Sequence, residues 1–149
     1  MGEKIILLVE DDPDDEMLTL RALKNAKIVN RVFVVRDGVE ALDYLFARNQ
    51  FSDRDPRDLP QVVLLDLKLP KVDGLQVLEK IRENEMMKFL PVVILTSSKE
   101  EQDIVASYNL RANSYVRKPV DFHQFASAVS QLGLYWLLIN EAPPVRSVE

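Results

Sequence analysis

At 149 residues and 47% hydrophobic content, the chain carries enough apolar material for one domain with a proper core. A formal charge of -5, with acids gathered around residue 12, argues against a nucleic-acid surface. The absence of cysteine excludes disulfides, thiolate metal sites and thiol redox chemistry.

Short apolar runs alternate with helix-period segments along the chain, the pattern of repeated strand-helix units and a parallel sheet. The first strand is expected at 4–9 (KIILLV), and a helix at 13–26 follows, with Asp12 as its cap and Pro13 at its first helical position. A strand at 32–36 and a helix at 38–48 come next, and NQFSDRDPRDLP at 49–60 reads as a long polar connection. Three more strands are expected at 61–65, 92–96 and 114–117, followed by helices at 74–84, 99–110 and 121–139. The end, EAPPVRSVE at 141–149, reads as a flexible tail behind a single domain at 1–140, which leaves no room for an output domain. No internal repeat or low-complexity segment interrupts the series.

The amino-terminal MGEKIILLVEDD lacks the basic region, apolar stretch and cleavage site of an export signal, and Gly2 lacks the hydroxyl residue that myristoylation requires. The longest apolar run, LYWLLI at 134–139, falls far short of the roughly 20 residues that span a bilayer. A cytoplasmic protein is expected, without membrane or nucleic-acid partners.

Sheets of this kind bind ligands at the carboxyl ends of their strands. Those ends supply Glu10 and Asp11, then Asp66, then Thr96, then Lys118 with Pro119. Acids, a hydroxyl and an amine therefore converge on one rim. Residues 9–16, VEDDPDDE, crowd like charges that cost energy unless something positive offsets them. Helix capping accounts for Asp12, Asp14, Asp15 and Glu16. Glu10 and Asp11 suit a hard cation that takes oxygen ligands. Asp66 closes a buried strand, where a carboxylate either meets a cation, reacts, or caps the turn that follows. Lys118, taken alone, also fits a surface lysine, and Tyr115 an ordinary strand aromatic.

The stretches VEDD, LLDLKLPKVDG, ILTSS and YVRKP, in this order at four strand ends, resemble the receiver domain of two-component response regulators over residues 3–139. The resemblance implies a doubly wound, flavodoxin-like α/β fold with strand order 2-1-3-4-5 and five helices. It implies that Asp66 accepts a phosphoryl group from a partner histidine kinase. It also implies Mg²⁺ bound directly by Asp11, Asp66 and the Lys68 backbone carbonyl, with Glu10 acting mainly through water. Lys118 would pair with Asp66 and then with the phosphoryl oxygens, its amine aimed inward by a cis peptide to Pro119. Thr96 would sense the phosphoryl group and Tyr115 would follow it.

Within that family, the connection at 49–60 and the ending LGLYWLLINEAPP look similar to small stand-alone regulators that partner bacterial phytochrome-type kinases. An aspartyl-phosphate phosphatase is the rival enzyme class, but it requires a second acid two residues after the nucleophile, where this chain has Lys68. A phosphorylation-independent binding module is the other rival, and the complete set of pocket residues argues against it. A switch rather than a turnover enzyme is expected. The sole histidine, His123, reads as a surface residue, so a phosphohistidine donor belongs to another protein. The unbroken apolar run at 134–139 covers more than one helical turn, so part of it faces away from the sheet. The resemblance implies that a homodimer, or another partner, covers it through the fourth helix, fifth strand and fifth helix, with the 49–60 loop or the tail as the alternative cover.

Overall fold

The apolar runs form five parallel strands, β1 (Ile5–Val9), β2 (Arg31–Val35), β3 (Val62–Asp66), β4 (Val92–Thr96) and β5 (Ser114–Arg117). They lie in the order β2-β1-β3-β4-β5 in a computed structural model that describes residues 5–26, 28, 30–97, 99–107 and 109–131. Helices α1 (Pro13–Asn25), α2 (Gly38–Phe46), α3 (Gly74–Glu83), α4 (Lys99–Ser107) and α5 (Phe122–Gln131) alternate with them. This is the expected order 2-1-3-4-5.

β3 and β4 are buried at every position, which explains why their sequences show no polar alternation: helices cover both faces. Side chains alternate between two cores. Leu7, Val9, Val63, Leu65 and Ile94 pack with Leu45 of α2, Leu78 and Ile81 of α3, and Val105 of α4. Ile6, Leu8, Leu64, Val93 and Leu95 pack on the other face with Leu23 of α1 and Phe125 and Ala128 of α5.

Several boundaries differ from the expected ones for identifiable reasons. β2 and β3 begin and end one residue away, so Asp66 is the last residue of its strand, opposite Leu95. α2 stops at Phe46 because Ala47 adopts a left-handed φ of 56° and returns its N–H to Asp43 and Tyr44 carbonyls. α4 ends at Ser107, ahead of left-handed backbone at Asn109 and Arg111. The continuation of the last helix to 139 and the tail at 141–149 lie outside the described residues.

The segment 49–60 is more than a polar connection. Its single 3-10 turn, Asn49–Phe51, inserts Phe51 edge-on against Phe33 at 5.8 Å and Tyr44 at 5.1 Å. Arg54 lies 3.9 Å from the Tyr44 ring centroid and donates to the Tyr44 and Asp58 carbonyls. The polar composition concealed this aromatic anchor.

α3 starts tightly against the end of β3. Asp73 caps it in a reciprocal pair with Gln76, and the Gly74 N–H reaches the Leu67 carbonyl at 2.8 Å. A Cβ on Gly74 would lie 2.3 Å from the Asp66 carbonyl oxygen and 2.7 Å from Leu67 Cα, so backbone would have to move. Gly74→Ala is therefore expected to destabilise the fold by about 1–3 kcal/mol through overpacking. The check is a lower denaturant midpoint at unchanged slope, together with a shifted Asp66 amide resonance.

Candidate functional site

β1 delivers two acids to the rim in different surroundings. Glu10, tied to β2 by its N–H to the Val35 carbonyl at 3.0 Å, is fully buried, whereas the neighbouring Asp11 is exposed. Asp66, at the end of the adjacent strand, is 4% exposed. One carboxylate oxygen from each of the three falls within 4.8 Å of the others.

The ammonium comes from across the sheet. After β5 the Lys118 N–H donates to the Thr96 carbonyl at 2.7 Å, and the peptide to Pro119 is cis. The side chain runs over the end of β4, and its Nζ lies 3.2 Å from Asp66 Oδ1, 3.5 Å from Glu10 Oε1 and 3.0 Å from Asp15 Oδ2. Thr96 closes β4 with its Oγ1 buried and without a hydrogen-bond partner.

Two buried carboxyl groups beside one ammonium cannot both ionise without cost. Burial, and then the negative charge of Asp66, push the Glu10 carboxyl up to about 8. Burial also raises Asp66, against the opposing pull of Lys118 and of the Lys68 backbone N–H. For Lys118, burial favours the neutral amine, but contacts with Asp15, Asp66 and Glu10 outweigh it and hold the group charged. Glu10 Oε1 and Thr96 Oγ1 are both buried without hydrogen bonds. Glu10 Oε1 has only the Lys118 ammonium, 3.5 Å away, so both oxygens have capacity for a further partner. The all-oxygen donor set Glu10, Asp11 and Asp66 fits a hard divalent cation, and the Thr96 hydroxyl fits an anion.

A fold with this rim defines a phosphorylation-type receiver. The chain belongs to the response regulator receiver domain family, whose model matches residues 6–130. Among curated relatives, a probable methanogenesis regulatory protein, FilR2, of Methanothrix harundinacea is 42% identical over 93% of this chain and 87% of its own length. Response regulator Rcp1 of Synechocystis is 39% identical over 90% of this chain and 89% of its own. Among solved structures, the bacteriophytochrome response regulator RtBRR is 53% identical, with a TM-score of 0.87 over 96% of this chain and 85% of that one. Mn²⁺-bound Rcp1 aligns with a TM-score of 0.72 at 36% identity, covering 95% of this chain and 99% of that one. The phosphorylated cyanobacterial phytochrome response regulator RcpA aligns at 0.73 and 37%, covering 97% and 100%.

The residues expected from sequence thus assemble: Glu10, Asp11, Asp66 and Lys118 meet at one point, with Thr96 at the adjoining strand end. Tyr115 stands apart from the carboxylates, opposite Ile94 and packed on the core beside α4, where burial and the charge of Asp103 raise its hydroxyl. The Lys68 side chain points elsewhere, to Glu101 at 3.2 Å. His123 is exposed, as expected. Asp12 caps α1, accepting from the Asp14 N–H at 2.8 Å and the Asp15 N–H at 3.3 Å.

Asp14, Asp15 and Glu16 stand in the first turn of α1 as expected, and two of them have a further partner. Glu16 holds Arg36 through both carboxylate oxygens at 2.9 Å, and Asp15 turns inward to Lys118. Neither partner is adjacent in sequence, so capping alone was the legible role. Glu101 was also missed: it is buried, accepts the Ser97 N–H at 2.8 Å and pairs with Lys68. Its one sequence signal was an acid four residues after a hydroxyl residue at a helix start.

The Glu10 shift has a defined sign. The unfolded carboxyl ionises near 4.5 and the folded one near 8, so the folded state keeps a proton that the unfolded chain releases. Without divalent cation, Glu10 does not oppose folding below 4.5, and stability falls as pH rises from there through about 8. Denaturation across this pH range in a chelator is expected to show that decline in wild type. Glu10→Gln should remove most of it.

Proposed function

We propose that the chain is a response regulator, with a receiver unit over 1–140, that accepts a phosphoryl group on Asp66 from the phosphohistidine of a partner histidine kinase. The observation that carries this reading is Asp66 itself: a carboxylate buried at a strand end, 3.2 Å from an ammonium and grouped with two further acids. A carboxylate oxygen of Asp66 attacks phosphorus, the donor nitrogen–phosphorus bond breaks with its electron pair going to the imidazole, and an acyl phosphate forms. The attack requires ionised Asp66, which Lys118 and the Lys68 N–H favour against burial. Lys118 then faces the phosphoryl oxygens, with Thr96 Oγ1 donating to one of them. This supplies the Thr96 hydroxyl with the partner it lacks in the unmodified protein.

Asp11, Asp66 and the Lys68 carbonyl would hold Mg²⁺, with Glu10 acting mainly through water. When bound, Mg²⁺ supplies the positive charge that offsets carboxylate and phosphoryl repulsion. The Mn²⁺-bound state of Rcp1 and the phosphorylated state of RcpA support a divalent cation and phosphorylation here by similarity. The likeness to RtBRR and RcpA supports a phytochrome-type kinase as the donor. The signal leaves through α4, β5 and α5, with Tyr115 following Thr96, and the protein works as a cytoplasmic switch rather than a turnover enzyme. Among the described residues, no helix is long and apolar enough to cross a membrane.

With acetyl phosphate and Mg²⁺, intact-mass measurement is expected to show a phosphorylated wild type and an unmodified Asp66→Asn. Equal labelling of the two would sink the assignment. Asp11→Ala should weaken Mg²⁺ binding by more than about tenfold because a direct ligand is lost, while Asp14→Ala should leave it unchanged.

The homodimer expected through the fifth-helix face depends on 134–139, which lies outside the described residues. Sedimentation is expected to give a dimer for wild type and a monomer for the Tyr135→Glu, Leu138→Glu double variant. A wild type monomeric both with and without phosphorylation rules out the homodimer.

A further inference from the structure

Asp15 does not belong to the carboxylate set of Glu10, Asp11 and Asp66, yet it is the acid closest to the Lys118 ammonium. Its Oδ2 lies 3.0 Å from Nζ, against 3.2 Å for Asp66 and 3.5 Å for Glu10. The carboxylate is not required as a cap, because Asp12 already serves the first turn of α1. It is also partly in water, at 26% side-chain exposure, while Glu10 and Asp66 are at 0% and 5%.

We infer that Asp15 is a positioning residue that anchors the Lys118 ammonium at the rim of the pocket. The inference rests on the reading of Asp66 as the phosphoryl acceptor. An ammonium carries three N–H donors on a flexible stem. One donor held by Asp15 fixes where the other two point, towards Asp66 before transfer and towards phosphoryl oxygens after it. A divalent cation on Glu10, Asp11 and Asp66 competes with Lys118 for two of its three partners. Asp15 stands outside that set, so its hold persists when the cation is bound. The first turn of α1 thereby contributes to phosphoryl binding through Lys118, without touching the group itself.

Beryllofluoride, which mimics a phosphoryl group on a carboxylate, provides the test, titrated in the presence of Mg²⁺. Asp15→Asn is expected to weaken its binding about five-fold, the size of one partly solvated ion pair, and Asp14→Asn to leave it unchanged. In a Lys118→Ala background, Asp15→Asn should have no further effect. The Lys118 ammonium resonance should also broaden in Asp15→Asn and stay sharp in Asp14→Asn. Unchanged or tighter binding by Asp15→Asn, or the same loss with and without Lys118, overturns the proposal. Equal loading of Asp66→Asn and wild type overturns the acceptor assignment instead, and this proposal with it.

Discussion

The rim is organised by one electrostatic imbalance: two carboxylates buried at neighbouring strand ends share one ammonium. Water would solvate Glu10 and Asp66 separately, but the sheet removes it, and the charged forms become costly in proportion. The protein responds in three ways at once. Glu10 keeps its proton far above the usual carboxylate range, Lys118 stays charged despite burial, and two oxygens remain without hydrogen bonds. Under the proposed function, a bound divalent cation would offset the excess of carboxylates and a phosphoryl group would give Lys118 and Thr96 further partners.

The parallel sheet makes that imbalance possible. Because helices cover both faces, strand ends meet at an edge where side chains leave a fully apolar interior and converge without neighbours to solvate them. Asp66 and Lys118 stand on either side of β4, and the Lys118 backbone is fixed to the Thr96 carbonyl at 2.7 Å. The Thr96 backbone thus anchors the connection after β5 that carries the ammonium. On the opposite side, α3 closes so tightly on Asp66 and Leu67 that only glycine fits at position 74.

Second contacts spread the site's geometry into the surrounding helices. Glu101 links the Ser97 backbone to the Lys68 side chain, tying the loop after β4 to the loop after β3. Asp15 ties α1 to the connection after β5 through Lys118, and Glu16 ties it to the end of β2 through Arg36. Every loop around the pocket is therefore joined to another by at least one charged contact, although most of these side chains are partly exposed and each pair is modest.

Sequence alone determined the succession of strands and helices, the capping of α1 by Asp12 and the identities Glu10, Asp11, Asp66, Thr96 and Lys118, because each depends on local pattern: apolar runs, turn residues and strand ends. It also placed these residues on one edge, since strands that alternate with helices run parallel. It did not reveal which acids face each other. Asp15 lies three residues beyond Asp12 in the same turn, and only the packing of α1 with α5 on one face of the sheet brings it near Lys118. Glu101 and Lys68 are likewise distant in sequence and meet through strand order. The anchor under 49–60 depended on Phe33, Tyr44 and Phe51 coming from three separate elements. Pairings across the chain, and the burial that raises Glu10 while leaving Asp11 exposed, belong to tertiary structure because desolvation and charge act through space and carry no local period.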